Sequence, residues 1–402
     1  MNSAERPRLF TTRSRTDSSP AGHNERYYAF LDRVDRPWFE AVRQQLELWL
    51  DDAPLPFAEH VARTIRSTRD RQFYGAFFEL YQFTLWTRMG FSTSPDPPIA
   101  DTGRLGDFLV TGRGETFLVE ATVSFDEATD SAESRRLGDA YDQLDRTNSP
   151  NFFLWITIEQ GPGAMPSLAP VRRRLEIWLA TLDPDQIALL ALRDRRDLPS
   201  RAFEAGSWRL RFEAIPKSRE ARGRPGIRPL GVFDTGGVRV LNTIDRLSSA
   251  LAAKADQSRG AGSPVVIALD ALGHFVDEDD IYSSLYGDEP AQFRRRAPAD
   301  LDGDTPRERT GFWTERRLGR RGHVSAVLTT ENLGPWNVAR VNPVIWMNPW
   351  ATRPLVLDLP IRRVEIDLAL GERVDHPATM SAPQILNVPN DWPGPGNAWD
   401  DP

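Results

Sequence analysis

The chain has 402 residues, 50 basic and 57 acidic side chains, 40% hydrophobic residues and no cysteine. That length allows a sizeable core, in one large domain with insertions or in about two to three smaller ones. The lack of cysteine removes thiol nucleophiles, disulfide frameworks, iron–sulfur clusters and cysteine zinc sites, and a net charge of −7 argues against a protein that coats nucleic acid over its whole surface.

Residues 1–24 are polar and rich in Ser, Thr, Arg and Pro, with too little apolar surface to offset ordering entropy, and read as a disordered tail. Over 25–70 the pattern turns helical: Trp38, Val42, Leu46 and Trp49 form one stripe of an amphipathic helix, which Asp51, Asp52, Pro54 and Pro56 end. RQFYGAFFELYQFTLWTRMG, from Arg71 to Gly90, is apolar nearly all round, the mark of a buried helix, and Glu79 sits inside it. PDPP at 95–98 predicts a loop. LGDFLVTG and ETFLVEATV, split by Gly112-Arg113-Gly114, predict a β-hairpin. A polar helix over about 131–146 and a buried strand at 151–159 follow.

Further on, 172–182 reads as a helix, 208–215 as a strand and 216–237 as a Gly/Pro/Arg-rich loop. TIDRLSSALAAKADQ (243–257) and PVVIALDAL (264–272) give a helix and then a strand. A short helix is expected over 277–286, where Asp277 to Asp280 supply an N-cap and first-turn acids rather than a metal loop. An Arg- and Asp-rich loop over 290–322 precedes a strand at 323–330, and the remainder carries too many prolines and single aromatics for regular structure. No run approaches the ~18 apolar residues of a membrane span and no apolar signal core opens the chain, so we expect a cytoplasmic protein with no membrane partner.

There is no P-loop, dinucleotide glycine fingerprint, HExxH or GxSxG, and His23, His60, His274, His323 and His376 are scattered singly. The informative constellation is acidic. Strand alternation puts Leu118, Glu120 and Thr122 on one face and Phe117, Val119, Ala121 and Val123 on the other. Asp107 opens the neighbouring strand of the same hairpin, so the two carboxylates can lie side by side, where a cation or a shared proton must relieve their repulsion. Such hard oxygen ligands suit Mg²⁺ or Mn²⁺, with Glu79 available to complete the set. Taken singly, Glu79 reads as a helix carboxylate paired with Arg88 or another arginine, Asp107 as a strand-start residue, Glu120 as the solvent face of a half-buried strand and Lys254 as a solvated helix residue.

Glu79 on a helix, then GDFLV with Asp107, then FLVEAT with Glu120 resembles the PD-(D/E)XK nuclease superfamily. AFFELYQFTL, GDFLV and VEATV, with KADQSRGAGSPVVIAL and NPVIWMNPWATRPL, are similar to bacterial proteins of that superfamily. The resemblance covers roughly 70–160 and, more loosely, 240–355. It implies an α/β fold with a restriction-endonuclease-like core (helix, mixed sheet, helix), a helical N-terminal extension and an irregular C-terminal region. The expected layout is a tail over 1–24, an extension over 25–70, a core over 71–290 with an insertion at about 161–240, and an Arg/Pro-rich extension over 291–402. It also implies a Mg²⁺- or Mn²⁺-dependent nuclease acting on nucleic acid, DNA ahead of RNA, with defence against foreign DNA as the natural setting.

Two positions depart from the superfamily pattern. Gly106 stands where the pattern has proline, which shapes the strand entry, and Thr122 stands where it has the lysine that polarises the attacking water. Lys217 and Lys254 are the chain's two lysines. Lys254 lies on the helix before PVVIAL with Gln257 a turn on, where superfamily members often carry an accessory Lys or Gln, so Asp107, Glu120, Thr122 and Lys254 are the candidate catalytic residues, with Glu79 and Gln257 in support. The surplus of arginine over 193–228, with Trp208 and Phe212 interleaved, offers a phosphate grip through Arg209, Arg211, Lys217, Arg222 and Arg224; a solvated arginine surface explains it equally well. The alternative function keeps the fold without the chemistry, as a nucleic-acid-binding or protein-interaction module.

Overall fold

A computed structural model describes residues 6–67, 69–99, 103–125, 132–161, 163–191, 197–224, 228–234, 243–273, 276–287, 311–314 and 321–394. The chain divides into two compact units, one of Met1–Thr16, Arg26–Asp126 and Asn242–Pro395, the other mainly of Asp17–Glu25 and Glu127–Leu241. The first unit opens with helices α1 (Tyr27–Arg33), α2 (Pro37–Asp52), α3 (Leu55–Ile65) and α4 (Asp70–Arg88). Strands β1 (Ser92–Pro95), β2 (Pro98–Ile99), β3 (Arg104–Leu105), β4 (Phe108–Gly112) and β5 (Glu115–Ser124) follow. The second unit holds α5 (Ala132–Leu144), β6 (Phe152–Gln160), α6 (Ala169–Ala180), α7 (Pro184–Ala191), β7 (Ser200–Ala205), β8 (Trp208–Pro216) and β9 (Leu230–Asp234). The chain then returns to the first unit with α8 (Thr243–Gln257), β10 (Val265–Ala271), α9 (Glu278–Tyr286), β11 (Val324–Glu331), β12 (Val344–Met347), β13 (Arg362–Asp367), β14 (Glu372–His376) and α10 (Ala382–Leu386).

The first unit is an α/β structure around an eight-stranded mixed sheet of order β1-β4-β5-β10-β11-β12-β13-β14. β1, β4 and β5 form an antiparallel meander, while β10 runs parallel to both β5 and β11. Helices cover both faces at the centre, so β10 (VVIALDA) is buried at every position, as expected of a central parallel strand. On one face, Leu247, Leu251 and Ala255 of α8 pack on Leu118, Val265, Ile267 and Leu269. On the other, α4 packs on β5: the Trp86 ring meets Phe117 with centroids 5.1 Å apart, and Phe57 of α3 meets Phe108 at 5.5 Å. α4 is apolar all round because α1, α2, α3 and α10 enclose the sides that the sheet leaves open. Among the described residues no helix is long and apolar enough to cross a membrane.

Several expectations are corrected. The segment read as a tail is tied down: Leu9 and Phe10 are buried, and their backbone N–H groups each donate to Glu47 Oε1 at 2.9 Å. Its few apolar residues suffice because the half-buried Glu47 carboxylate takes up the backbone donors that order them. The insertion, placed at about 161–240, begins instead at Glu127, so α5 and β6 belong to the second unit, whose four strands run β7-β8-β6-β9. The C-terminal region is regular, with β12 to β14 extending the main sheet. Its prolines stand between short strands: Pro343 just precedes β12, and Pro349, Pro354 and Pro360 lie in the connection to β13. Segment 95–98 is partly strand as well, and β9 lies inside the expected 216–237 loop. Much of the 290–322 loop, and His274, lie outside the described residues.

Trp86 is fully buried between Phe91 and Phe117 and joins α4 to the hairpin. Trp86→Ala should cost about 3–5 kcal/mol of unfolding free energy by chemical denaturation; a loss below ~1 kcal/mol would contradict this packing.

Candidate active site

The hairpin and α8 bring Asp107, Glu120 and Lys254 together. Asp107 lies one step before the Phe108–Val119 pair of the β4–β5 ladder, hence opposite Glu120, on the face that α8 covers. Its Oδ2 accepts the Ala121 N–H at 2.6 Å, which fixes the carboxylate against the strand. On α8, Leu247, Leu251 and Ala255 form the buried stripe, and Lys254 lies beside Ala255 on its edge. Its ammonium donates to Asp107 Oδ2 at 2.8 Å and to Glu120 Oε2 at 3.2 Å.

One ammonium faces two carboxylates, so the trio keeps one negative charge in excess, and the titration reflects it. Burial, then the charge of Asp107, pushes Glu120 up to about 7 against the pull of Lys254. Burial alone would lower Lys254; the Asp107 and Glu120 charges and hydrogen bonds outweigh it and raise the ammonium above its ordinary value. Glu79, half-buried on α4, is likewise pushed up to about 7, by burial and then by Asp107.

Glu79 does not close a three-carboxylate cage: its carboxylate lies 3.8 Å from His60 Nε2 of α3, and among the described residues no group of three or more His, Asp or Glu side chains converges to hold a metal ion. Nor does Glu79 pair with Arg88, which binds Asp52 at 2.8 Å. His60 is the neighbour that reading histidines one at a time misses; its only sequence signal is its place on the helix just before α4.

The pair Asp107 and Glu120 nevertheless fits a hard cation. Mg²⁺ is commonly held by one or two carboxylates, the rest of its shell being water and substrate oxygens. Asp107 Oδ2 and Glu120 Oε2 already converge on one cationic atom, the Lys254 Nζ, at 2.8 and 3.2 Å, while Glu120 Oε1 is buried with no hydrogen-bond partner among the described residues. It lies over Gly106, where a β-carbon would come within 3.3 Å of it and 2.5 Å of Leu118 Cδ1. The Gly106 N–H also donates to the Pro97 carbonyl at 2.9 Å, a bond proline cannot make. Glycine at 106 therefore shapes the site, and is more than a minor change of strand entry.

Thr122 is half-buried two residues along β5 from Glu120, and in strand register with Leu269. Gln257 is the exposed last residue of α8, and no hydrogen bond joins it to the trio.

The expected phosphate grip is largely consumed by the protein's own charges. Arg209 and Arg211 project from the outer face of β8 and share Glu159 of β6, Arg209 at 2.7 Å. Arg222 binds Asp185 at 3.0 Å. Lys217 is buried, donates to the Ser149 carbonyl at 2.9 Å and sits 5.1 Å from the Phe153 ring centre. Arg224 remains exposed. Asp277 caps α9 through the Asp280 N–H at 2.9 Å, as its helix-start pattern predicts.

Compared with known protein families, curated proteins and solved structures, the chain matches none.

The raised Glu120 carboxyl makes stability depend on pH. An ordinary glutamate titrates at 4.5 and folded Glu120 at about 7, so across that window the folded chain holds a proton the unfolded chain has lost. Its contribution is full below the lower value and is lost as pH rises through the upper one. Glu120→Gln should flatten the fall of unfolding free energy between about pH 5 and 7 by up to ~1 kcal/mol per pH unit. Denaturant titrations across that range measure it, and parallel wild-type and variant profiles would contradict the assignment.

Proposed function

We propose that this protein is a metal-dependent nuclease that hydrolyses phosphodiester bonds of nucleic acid, DNA ahead of RNA, on a restriction-endonuclease-like core. The observation that carries this reading is the Lys254 ammonium bonded to both Asp107 and Glu120, from a helix 147 and 134 residues further along the chain. A lysine beside two adjacent carboxylates is the chemistry expected of the PD-(D/E)XK site, supplied from α8 in place of Thr122. The element order lends support: α4, the β1-β4-β5 meander, α8 and then β10 parallel to β5 follow the sequence helix, three strands, helix, strand.

The energetics also favour a functional reading over a structural one. A buried ionic cluster stabilises a fold little better than apolar residues of similar volume, and breaking it costs about 3–5 kcal/mol. Carboxyls pushed toward neutrality by burial and a like charge are the arrangement found at acid–base and metal sites.

In this reading Asp107 and Glu120 would hold the ion, and Glu79 adds negative charge without ligating it. A bound Mg²⁺ or Mn²⁺ supplies Lewis-acid stabilisation of charge on the phosphate and favours an ionised nucleophile. Lys254 contributes a fixed positive charge beside the scissile phosphate and a donor that orients the attacking water. The Thr122 hydroxyl, on the same face of β5 as Glu120, can orient water without adding charge. The Ala121 N–H keeps Asp107 aimed, and the α8 stripe holds Lys254 within reach. The inactive-module reading draws on Thr122 and on the ion-paired arginines of β8.

Purified protein incubated with single- and double-stranded DNA and RNA in Mg²⁺ or Mn²⁺ tests the proposal. Cleavage should fall by ~100-fold or more in Asp107→Ala, Glu120→Ala and Lys254→Ala. Wild-type turnover no greater than that of Asp107→Ala on every substrate would sink the nuclease reading and leave the binding module.

A further inference from the structure

Resting on the metal-dependent reading above, we propose that the Lys254 ammonium and the divalent cation compete for the same two carboxylate oxygens, so that Lys254 weakens metal binding and leaves both carboxylates when the metal enters. Four carboxylate oxygens are present, and the structure restricts which of them a cation can use. Glu120 Oε1 is sealed beside Gly106 and Leu118, buried without a hydrogen-bond partner among the described residues. The Asp107 and Lys254 side chains retain 24% and 17% exposure against 2% for Glu120, so a cation reaches the pair past them. That leaves Oε2 on Glu120, and the Asp107 oxygen that faces it is Oδ2, since the same ammonium engages both at 2.8 and 3.2 Å; a cation bridging the two carboxylates takes that place.

An ammonium and a divalent ion cannot share those oxygens. Metal–oxygen bonds of about 2.1 Å for Mg²⁺ are shorter than the ammonium's hydrogen bonds, and the two cations would repel at a separation of a few ångströms. Lysine suits the exchange because its charge is compact and its stem flexible, so the head can leave while the backbone of α8 stays fixed. The ammonium thus acts as an internal counter-ion for the carboxylate pair. Once displaced, it is free to meet the negative charge of a bound phosphate.

The test is Mn²⁺ affinity by isothermal titration calorimetry on the full chain, comparing wild type with Lys254→Met and Lys254→Gln. Both variants remove the charge, and Gln keeps a hydrogen-bond donor. Competition predicts that each binds Mn²⁺ ~10-fold or more tightly than wild type, that Mn²⁺ raises their melting temperatures by more than it raises the wild type's, and that adding Asp107→Asn abolishes binding. A variant that folds only with Mn²⁺ present is the extreme form of the same result. Equal or weaker binding by both folded variants would overturn the competition while leaving the metal site intact. No Mn²⁺ binding and no thermal shift in any form would overturn the metal-dependent reading together with it.

Discussion

The central constraint is a charge imbalance at a fixed place. The sheet puts Asp107 and Glu120 on one face, and the fold brings a single lysine to them. Water is excluded from Glu120, so its charge must be met by a proton, by Lys254 or by another cation. The surrounding features serve that arrangement. Gly106 leaves room for Leu118 and Glu120 Oε1 to close in where a β-carbon would clash, the Ala121 N–H pins Asp107, and the Leu247/Leu251/Ala255 stripe holds α8 down so that Lys254 reaches the carboxylates.

The aromatic face of the sheet gives this site its rigidity. Phe117 and Val119 alternate with Leu118 and Glu120 along β5, so the strand that carries the carboxylate is clamped behind by α4 and in front by α8. A polar site between two packed faces loses little precision to side-chain motion, which electrostatic catalysis requires. β10 does the same for register: its parallel pairing with β5 sets Ile267 beside Glu120 and seals the carboxylate from the side.

The sequence made the local elements legible and left their assembly less so. The hairpin, α4, α8 and β10 show through the glycine turn, the apolar periodicities and the run PVVIAL. Lys254 stood out because only two lysines exist, and its position at the edge of an i, i+4, i+8 stripe is the residue-level sign that it points toward the sheet. The basic patch misled because summed charge ignores strand neighbours: Arg209 and Arg211 alternate outward on β8, where Glu159 of β6 meets both. Lys217 misled for the opposite reason, since a loop lysine reads as solvated until Ser149 and Phe153, distant in sequence, enclose it. The C-terminal strands escaped because each has only four to six residues, too few for a period to emerge.

Charge compensation of a buried carboxylate pair is the core of the account, and a crystal grown with Mn²⁺ reports on it directly. Anomalous scattering should place one Mn²⁺ within about 2.3 Å of Asp107 Oδ2 and Glu120 Oε2, with Lys254 Nζ withdrawn from both oxygens. Lys254 still bridging Asp107 and Glu120 at saturating Mn²⁺, with no anomalous peak beside them, would contradict it.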